Sequence, residues 1–235
     1  MEDKKVLCTL CARGGSKGLK NKNLLKICNK PLIVHTIEMA LEVNFIDKVV
    51  VSTDSDQIKD ISTDYGANCW YLRSKELSSD SAPKIPVIKD LLARSEKKFN
   101  ETYDYIIDLD ITSPLRVKDD ILNSFSLFIE SNSDNLITGC RSRKNPFFNM
   151  VILKNNAPIL VNESDFKRRQ DAPEVFDMNA SIYIWKREVL MSKKNLFNPN
   201  TSFYEMPYER SIDIDSKSDF DYVEFLMNKA NKRDD

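Results

Sequence analysis

Val6-Leu7-Cys8-Thr9-Leu10-Cys11-Ala12-Arg13-Gly14-Gly15-Ser16-Lys17-Gly18-Leu19-Lys20-Asn21-Lys22-Asn23 is the stretch on which the fold turns. Residues 6–12 are an apolar run of strand length, and the chain passes from it directly into a loop that holds three of its 5 glycines. Glycine lets backbone N–H groups approach a ligand closely, while Arg13, Lys17, Lys20 and Lys22 add positive charge to the same turn. A strand ending in such a loop reads as the first unit of an α/β fold with a phosphate cradle at its edge, suited to a polyanion such as a nucleoside triphosphate. The spacing matches neither G-x-x-x-x-G-K-S/T nor G-x-G-x-x-G, so neither a P-loop NTPase nor a dinucleotide fold is supported. The link from Arg13 to Pro31 is also far longer than the usual βα connection of about 2–6 residues, and long ordered loops tend to be functional.

Outward from this loop, strand and helix patterns alternate. A helix is expected over 31–43, with Pro31 in its first turn, then a strand over 48–53, a helix over 55–65 stopped by Gly66, and an extended run over 69–72. A helix over 85–98, a strand over 105–109, a helix over 117–130 and a strand over 136–139 follow. This is the alternation of a doubly wound, mostly parallel α/β sheet. From 140 to 177 the pattern changes to short extended pieces, 150–153 and 159–161, broken by Pro146, Asn155, Asn156, Pro158 and Pro173. We read residues 140–178 as an inserted β-rich arm within a single domain spanning 1–235. Regular order resumes with a strand over 181–185, a short helix over 187–191, a strand-like run over 211–214 and a helix over 220–230.

Composition narrows the function. Lys+Arg 35 against Asp+Glu 36 gives a net charge of -1, so no global basic field is available for nucleic acid or an anionic membrane, and a small-molecule partner is expected. The polar start and the lack of any stretch of membrane-spanning length place the chain in the cytoplasm. Its 5 cysteines are an odd number and suggest reduced thiols; Cys8 and Cys11 fall on opposite faces of the first strand, which argues against a redox or zinc pair. His35, the single histidine, lies at helical spacing among apolar residues and reads as an ordinary helix-face residue.

In open α/β sheets ligands bind beyond the carboxyl ends of the strands, which selects among three Asp-x-Asp pairs. Asp54 and Asp56 stand where a helix begins, so capping explains them. Asp108 and Asp110 end an apolar strand at the sheet's carboxyl edge. Asp213 and Asp215 alternate with Ile212 and Ile214, placing both acids on one side, and acids facing a cleft are costly without a cation. Two hard oxygen donors beside triphosphate oxygens suit Mg²⁺.

Together, Ala12 to Gly18, Lys22-Asn23, Ser52-Thr53-Asp54, Arg73, Leu77-Ser78-Ser79-Asp80, Thr112-Ser113-Pro114-Leu115-Arg116, Asn179-Ala180-Ser181-Ile182-Tyr183 and Asp213-Ile214-Asp215 resemble, in order and over almost the whole chain, the acylneuraminate cytidylyltransferase family, the CMP-sialic acid synthetases. Within it, Asp108-Leu109-Asp110 and Asp177-Met178-Asn179-Ala180-Ser181 look most like the bacterial branch that activates legionaminic acid. The resemblance implies a Rossmann-like nucleotidyltransferase sheet whose β-rich arm serves dimerisation, and transfer of CMP from CTP to the anomeric hydroxyl of a nonulosonic acid with release of pyrophosphate. It implies that Arg13 and Lys17 act on the triphosphate beside Gly14, Gly15, Ser16, Lys22 and Asn23, and that Arg73, Ser79 and Asp80 line the cytidine pocket. Asp213 and Asp215 would hold Mg²⁺ or Mn²⁺, and Asp110, Arg169, Asp177 and Asn179 would face the sugar, Arg169 taking its carboxylate. Sialic-acid members usually carry glutamine where Asp110 stands and arginine where Asp177 stands, so recognition of the sugar should differ here.

Other readings stay open from the sequence: CMP-N-acetylneuraminate synthesis, a guanylyltransferase of the same fold, a metal-dependent glycosyltransferase using Asp108 and Asp110, or a nucleotide sensor. The glycosyltransferase leaves the cationic loop without a task, and the sensor gains nothing from Asp213 and Asp215. Lys17→Ala is expected to abolish most turnover while leaving the thermal unfolding midpoint unchanged, since an exposed cation adds little stability; unfolding of the variant would mark the loop as structural instead.

Overall fold

The computed structural model describes residues 4–15, 18–192 and 195–231. In chain order the elements are β1 (Val6–Cys11), β2 (Lys26–Ile27), β3 (Lys30–Pro31), α1 (Leu32–Leu41), β4 (Lys48–Ser52), α2 (Asp56–Asp64), α3 (Lys75–Ser78), α4 (Lys84–Phe99), β5 (Tyr105–Leu109), α5 (Lys118–Glu130), β6 (Asn135–Arg141), β7 (Val151–Lys154), β8 (Ala157–Leu160), β9 (Phe176–Lys186), α6 (Arg187–Ser192), β10 (Thr201–Glu205) and α7 (Lys217–Asn231). Six strands form one sheet in the order β10-β6-β9-β5-β1-β4. β1 pairs in parallel with β4 and β5, β10 in parallel with β6, and β9 runs antiparallel to both of its neighbours. The expected mostly parallel, doubly wound α/β sheet is thus the observed one, with one strand reversed.

The two faces of the sheet are covered separately, which is why its inner strands are near-continuous apolar runs. On one face Leu32, Ile33 and Ile37 of α1, Ile121, Phe125 and Phe128 of α5, and Phe220 and Val223 of α7 pack on Cys8, Leu10 and Ile107. On the other, Ile88, Leu91 and Leu92 of α4 pack on Leu7, Val50, Ile106, Tyr183 and Trp185. Cys8 belongs to the first cluster and Cys11 packs against the second, as their odd spacing requires, and the described cysteines are free thiols. His35 Nε2 lies 3.0 Å from the Ile27 carbonyl, a structural contact. No helix of the described residues is long and apolar enough to cross a membrane.

Two extended runs differ from expectation. Residues 69–72 do not join the sheet: only Asn68 bridges to β4, accepting from Val51 N–H at 2.9 Å, before Trp70 and Tyr71 turn to pack against the α4 cluster. Residues 211–214 form no strand either; Ile214 N–H donates to the Thr112 carbonyl at 2.9 Å, and burial of Ile214, not ladder pairing, holds the segment. The edge strand is β10 instead, whose sequence Thr201-Ser202-Phe203-Tyr204-Glu205 carries little apolar signal. Within residues 140–178, β7 and β8 form a two-stranded antiparallel hairpin, and the last of these residues already belong to β9, with Asp177 opposite Cys140 of β6.

The β6–β9 pairing slips between Ile137 and Gly139, where Ala180 takes a φ of 50°. This bulge brings two backbones so close that a Cβ on Gly139 would lie 2.5 Å from the Asp177 carbonyl oxygen and 2.9 Å from the Phe203 ring. Gly139→Ala is expected to destabilise the fold by about 1–3 kcal/mol, the usual cost of overpacking, read from denaturant unfolding; an unchanged midpoint would show that the bulge can open.

Candidate active site

The carboxyl ends of β1 and β5, with the segments 73–87 and 213–215, enclose a cleft of about 450 Å³. Its walls include Arg13, Gly15, Lys22, Asn23, Arg73, Ser79, Asp80, Asp110, Asp213 and Asp215, residues scattered over most of the chain. Ser16 and Lys17 lie outside the described residues.

The glycine loop is held in place by its own backbone. Asn23 is buried and its Nδ2 donates to the Arg13 carbonyl at 2.9 Å, while Gly14 N–H donates to Asp54 Oδ1 at 2.7 Å. Asp54 thus anchors the loop, and the α2 cap is Ser55, whose hydroxyl accepts from Ile58 N–H. A Cβ on Gly18 would fall 2.5 Å from the Asp215 carbonyl oxygen, so glycine there lets the loop lie directly on the acidic segment. The cations are paired across the cleft. Arg13 Nη1 reaches Asp80 Oδ1 at 2.7 Å, and Lys22 Nζ reaches Asp215 Oδ1 at 2.9 Å. Arg73 is buried, with Nε donating to Ser78 Oγ at 3.2 Å and its N–H to the Thr53 carbonyl at 2.7 Å.

The floor is acidic. Asp108 is fully buried, accepting from Thr9 Oγ1 at 2.8 Å, and its Oδ2 lies 2.7 Å from Lys84 Nζ. Asp110 Oδ1 accepts from Thr112 N–H at 2.9 Å and Thr112 Oγ1 at 2.7 Å, and its Oδ2 accepts from Lys84 Nζ at 2.9 Å. Burial would raise the Asp110 carboxyl, yet Lys84 and Thr112 outweigh it and hold it well below the ordinary range. Burial likewise would lower the Lys84 ammonium, but Asp108 and Asp110 hold it well above its usual value. Asp213 is in the opposite condition: burial, with Asp110 and Asp215 nearby, pushes it up to about 7 although Ser113 Oγ donates to it at 2.5 Å.

A carboxyl in that condition is one that a divalent cation would keep ionised, and Asp215 beside it is exposed. Among the described residues no group of three or more His, Cys, Asp or Glu is arranged to hold a metal. Two carboxylates with substrate phosphates and water are what Mg²⁺ ordinarily takes, so this donor set fits it.

Three expected sugar contacts stand elsewhere in the chain. Arg169 lines a separate cleft of about 400 Å³ at the arm, with Arg141, Asn145 and Glu174. Asp177 is exposed on β9. Asn179 is buried, its Oδ1 accepting from Thr138 Oγ1 at 2.7 Å and Ser181 N–H at 3.1 Å, its Nδ2 donating to Ser211 Oγ at 3.0 Å; it latches the β9 bulge that puts Ala180 on the cleft wall. Lys84 is a cleft residue that motif reading missed. Its signal was local: a lysine at the first turn of a helix opposes the helix dipole, and such violations mark functional positions.

The cytidylyltransferase family model matches residues 7–232. Over 226 residues, 96% of both chains, the protein is 43% identical to the CMP-N,N'-diacetyllegionaminic acid synthase of Campylobacter jejuni. It is 42% identical, over the same length and shares, to the post-translational flagellin modification protein B of Campylobacter coli. Its fold is similar to that of a solved CMP:2-keto-3-deoxy-manno-octonic acid synthetase complexed with CTP, with a TM-score of 0.74 over 97% of this chain and 100% of that one at 18% identity.

The raised Asp213 carboxyl favours the metal-free fold only while it is protonated. That contribution is complete below about pH 3.8 and is lost as pH rises through about 7. With a chelator present, Asp213→Asn is therefore expected to raise the melting temperature over the parent more at about pH 8 than at about pH 5. A gap that does not widen with pH would contradict this account of Asp213.

Proposed function

Because the chain belongs to the cytidylyltransferase family, we propose that it joins CMP from CTP to the anomeric hydroxyl of a nine-carbon 2-keto-3-deoxy sugar acid, legionaminic acid, with release of pyrophosphate. The observation that carries the reading is the single cleft in which the cationic loop, the buried Arg73 and the Asp213/Asp215 pair face a hydrogen-bonding floor at Asp110 and Thr112. The relative of 43% identity named for diacetyllegionaminic acid supports the choice of sugar.

In this reading the anomeric oxygen attacks the α-phosphorus and the bond to pyrophosphate breaks, so catalysis rests on positioning and charge neutralisation. Arg13, Lys17 and Lys22 take the triphosphate together with Gly15 and Ser16, while Gly14, its N–H held by Asp54, keeps the loop in position. Asn23 fixes the loop, and Arg73, Ser79 and Asp80 line the cytidine side. Asp213 and Asp215 would hold Mg²⁺ or Mn²⁺, which when bound supplies charge at the phosphates and lowers the pKa of the attacking hydroxyl. Arg13 and Lys22 leave Asp80 and Asp215 to meet the phosphates, which frees Asp215 for the cation.

The arm at 140–178 serves as the contact of a homodimer. Val151, Ile152, Leu153 and Ile159 of its hairpin are exposed, an apolar surface of the kind a partner covers. Pairing would let Arg169, Asp177 and the bulge held by Asn179 border a sugar bound near the interface, with the Arg169 guanidinium matched to a carboxylate. The cytoplasm, which supplies CTP, is the compartment for this work.

Pyrophosphate release measured with CTP, GTP and UTP against legionaminic, N-acetylneuraminic, pseudaminic and 3-deoxy-octulosonic acids tests the reading. Release is expected with CTP and fastest with legionaminic acid, and Asp215→Asn should raise the Mg²⁺ concentration required. No release from CTP with any nonulosonic acid would sink the proposal.

A further inference from the structure

Lys84 stands in the floor of the cleft, and the transfer reading gives it no task. Its ammonium has three donors; one is given to Asp110 Oδ2 at 2.9 Å, and the charge also pairs with Asp108 Oδ2 at 2.7 Å. Tyr183 confines it further, with its ring centroid 5.4 Å from Nζ. Asp110 Oδ1 has both lone pairs taken by Thr112, whereas among the described residues Oδ2 accepts from Lys84 alone. Both residues line the cleft. Lys84 and Asp110 therefore present one spare donor and one spare acceptor side by side, 2.9 Å apart.

We propose, resting on the transfer reading above, that Lys84 and Asp110 clamp a single hydroxyl of the sugar acid, Asp110 Oδ2 accepting its proton and Lys84 donating to its oxygen. A hydroxyl is the substituent that satisfies both from one atom. A secondary amide is planar and trans, so its N–H and C=O point in opposite directions and cannot both face this pair. A carboxylate offers no donor and would meet a floor of two carboxylates against one ammonium, so the sugar's acid group is turned away from it. A methyl or methylene group would leave a buried donor and acceptor unpaired, a larger penalty than the clamp's own gain.

Lys84 thereby selects for one hydroxyl and orients the sugar, while Asp108, buried behind it, fixes where the ammonium sits. Substituting the acid half has a defined result. The Thr112 N–H requires an acceptor, so in Asp110→Asn the amide oxygen stays with Thr112 and the NH₂ group takes the place of Oδ2. A hydroxyl would then meet two donors.

The test pairs enzyme variants with deoxy analogues of legionaminic acid, each lacking one hydroxyl other than the anomeric one, in the pyrophosphate-release assay with CTP. For the parent enzyme, removal of one particular hydroxyl is expected to lower kcat/KM for the sugar roughly 10–100-fold, with KM for CTP unchanged. In Lys84→Met, where Asp110 alone is left to hold the hydroxyl, that penalty should shrink several-fold. Lys84→Met leaves Asp108 without its cation and could fail to fold; Asp110→Asn keeps the Lys84–Asp108 pair, takes away the acceptor for the hydroxyl's proton, and must likewise show a smaller penalty than the parent enzyme. A deoxygenation penalty that persists undiminished in the folded variants, or a loss that falls on CTP instead, overturns the clamp while the transfer reading stands. No turnover of any sugar acid by the parent enzyme overturns both.

Discussion

A fully buried guanidinium ties the functional half of this sheet together. Arg116 Nη1 donates to the Ser181 carbonyl at 2.8 Å, the Ser181 hydroxyl at 3.1 Å and the Asp110 carbonyl at 3.2 Å, and Nη2 reaches the Thr36 hydroxyl at 3.4 Å. One side chain thus binds the exit of β5, the bulge of β9 and the middle of α1. Its acceptors are neutral, and burial draws its pKa down to about 10 despite Asp110 and Asp120 nearby. A buried charge without a direct carboxylate partner is expensive, so the arrangement holds only while all these oxygens stay in place. The position of the cleft floor is in this sense a condition for the core, because Asp110 cannot move without stripping Arg116 of an acceptor.

A second arginine, half-buried, supports the same corner from behind. Asp120, wholly enclosed in the first turn of α5, accepts from Arg210 Nε at 2.9 Å and Nη2 at 2.8 Å and from Val117 N–H at 3.0 Å. This bidentate pair fixes the segment that leads into Asp213 and Asp215. The carboxylate pair is positioned through that contact and Ile214 rather than by a sheet ladder, which explains why an alternating Ile-Asp pattern there does not produce a strand.

The sequence made visible whatever rests on local chemistry. The strand at 6–12, its glycine loop, the alternation that follows and the Asp108/Asp110 and Asp213/Asp215 pairs carry their meaning within a few residues, and the structure gathers Arg13, Asn23, Arg73, Asp80, Asp110, Asp213 and Asp215 around one cleft. What escaped rests on distant pairing. β10 becomes a strand because β6 offers it an edge, not because of its own composition. Residues 69–72 have strand-like composition, yet Trp70 and Tyr71 are drawn to the α4 cluster. Lys84 acquires its task only from acids more than twenty positions away, and Asn179, which stands in a family motif, turns out to latch a bulge through Thr138 and Ser211.

The ion pairs across the cleft bear on how the protein meets the many anions around it. Arg13 and Lys22 are engaged by Asp80 and Asp215 before anything binds, so an arriving anion must compete with carboxylates already in place. A bare phosphate that won this competition would cost Asp80 and Asp215 these ion pairs, and the exchange would gain little. A polyphosphate escorted by its own cation resolves both halves at once. Under the proposed transfer the cleft would act as a coincidence detector, passing over inorganic anions and answering to a nucleotide and its counterion arriving as one unit.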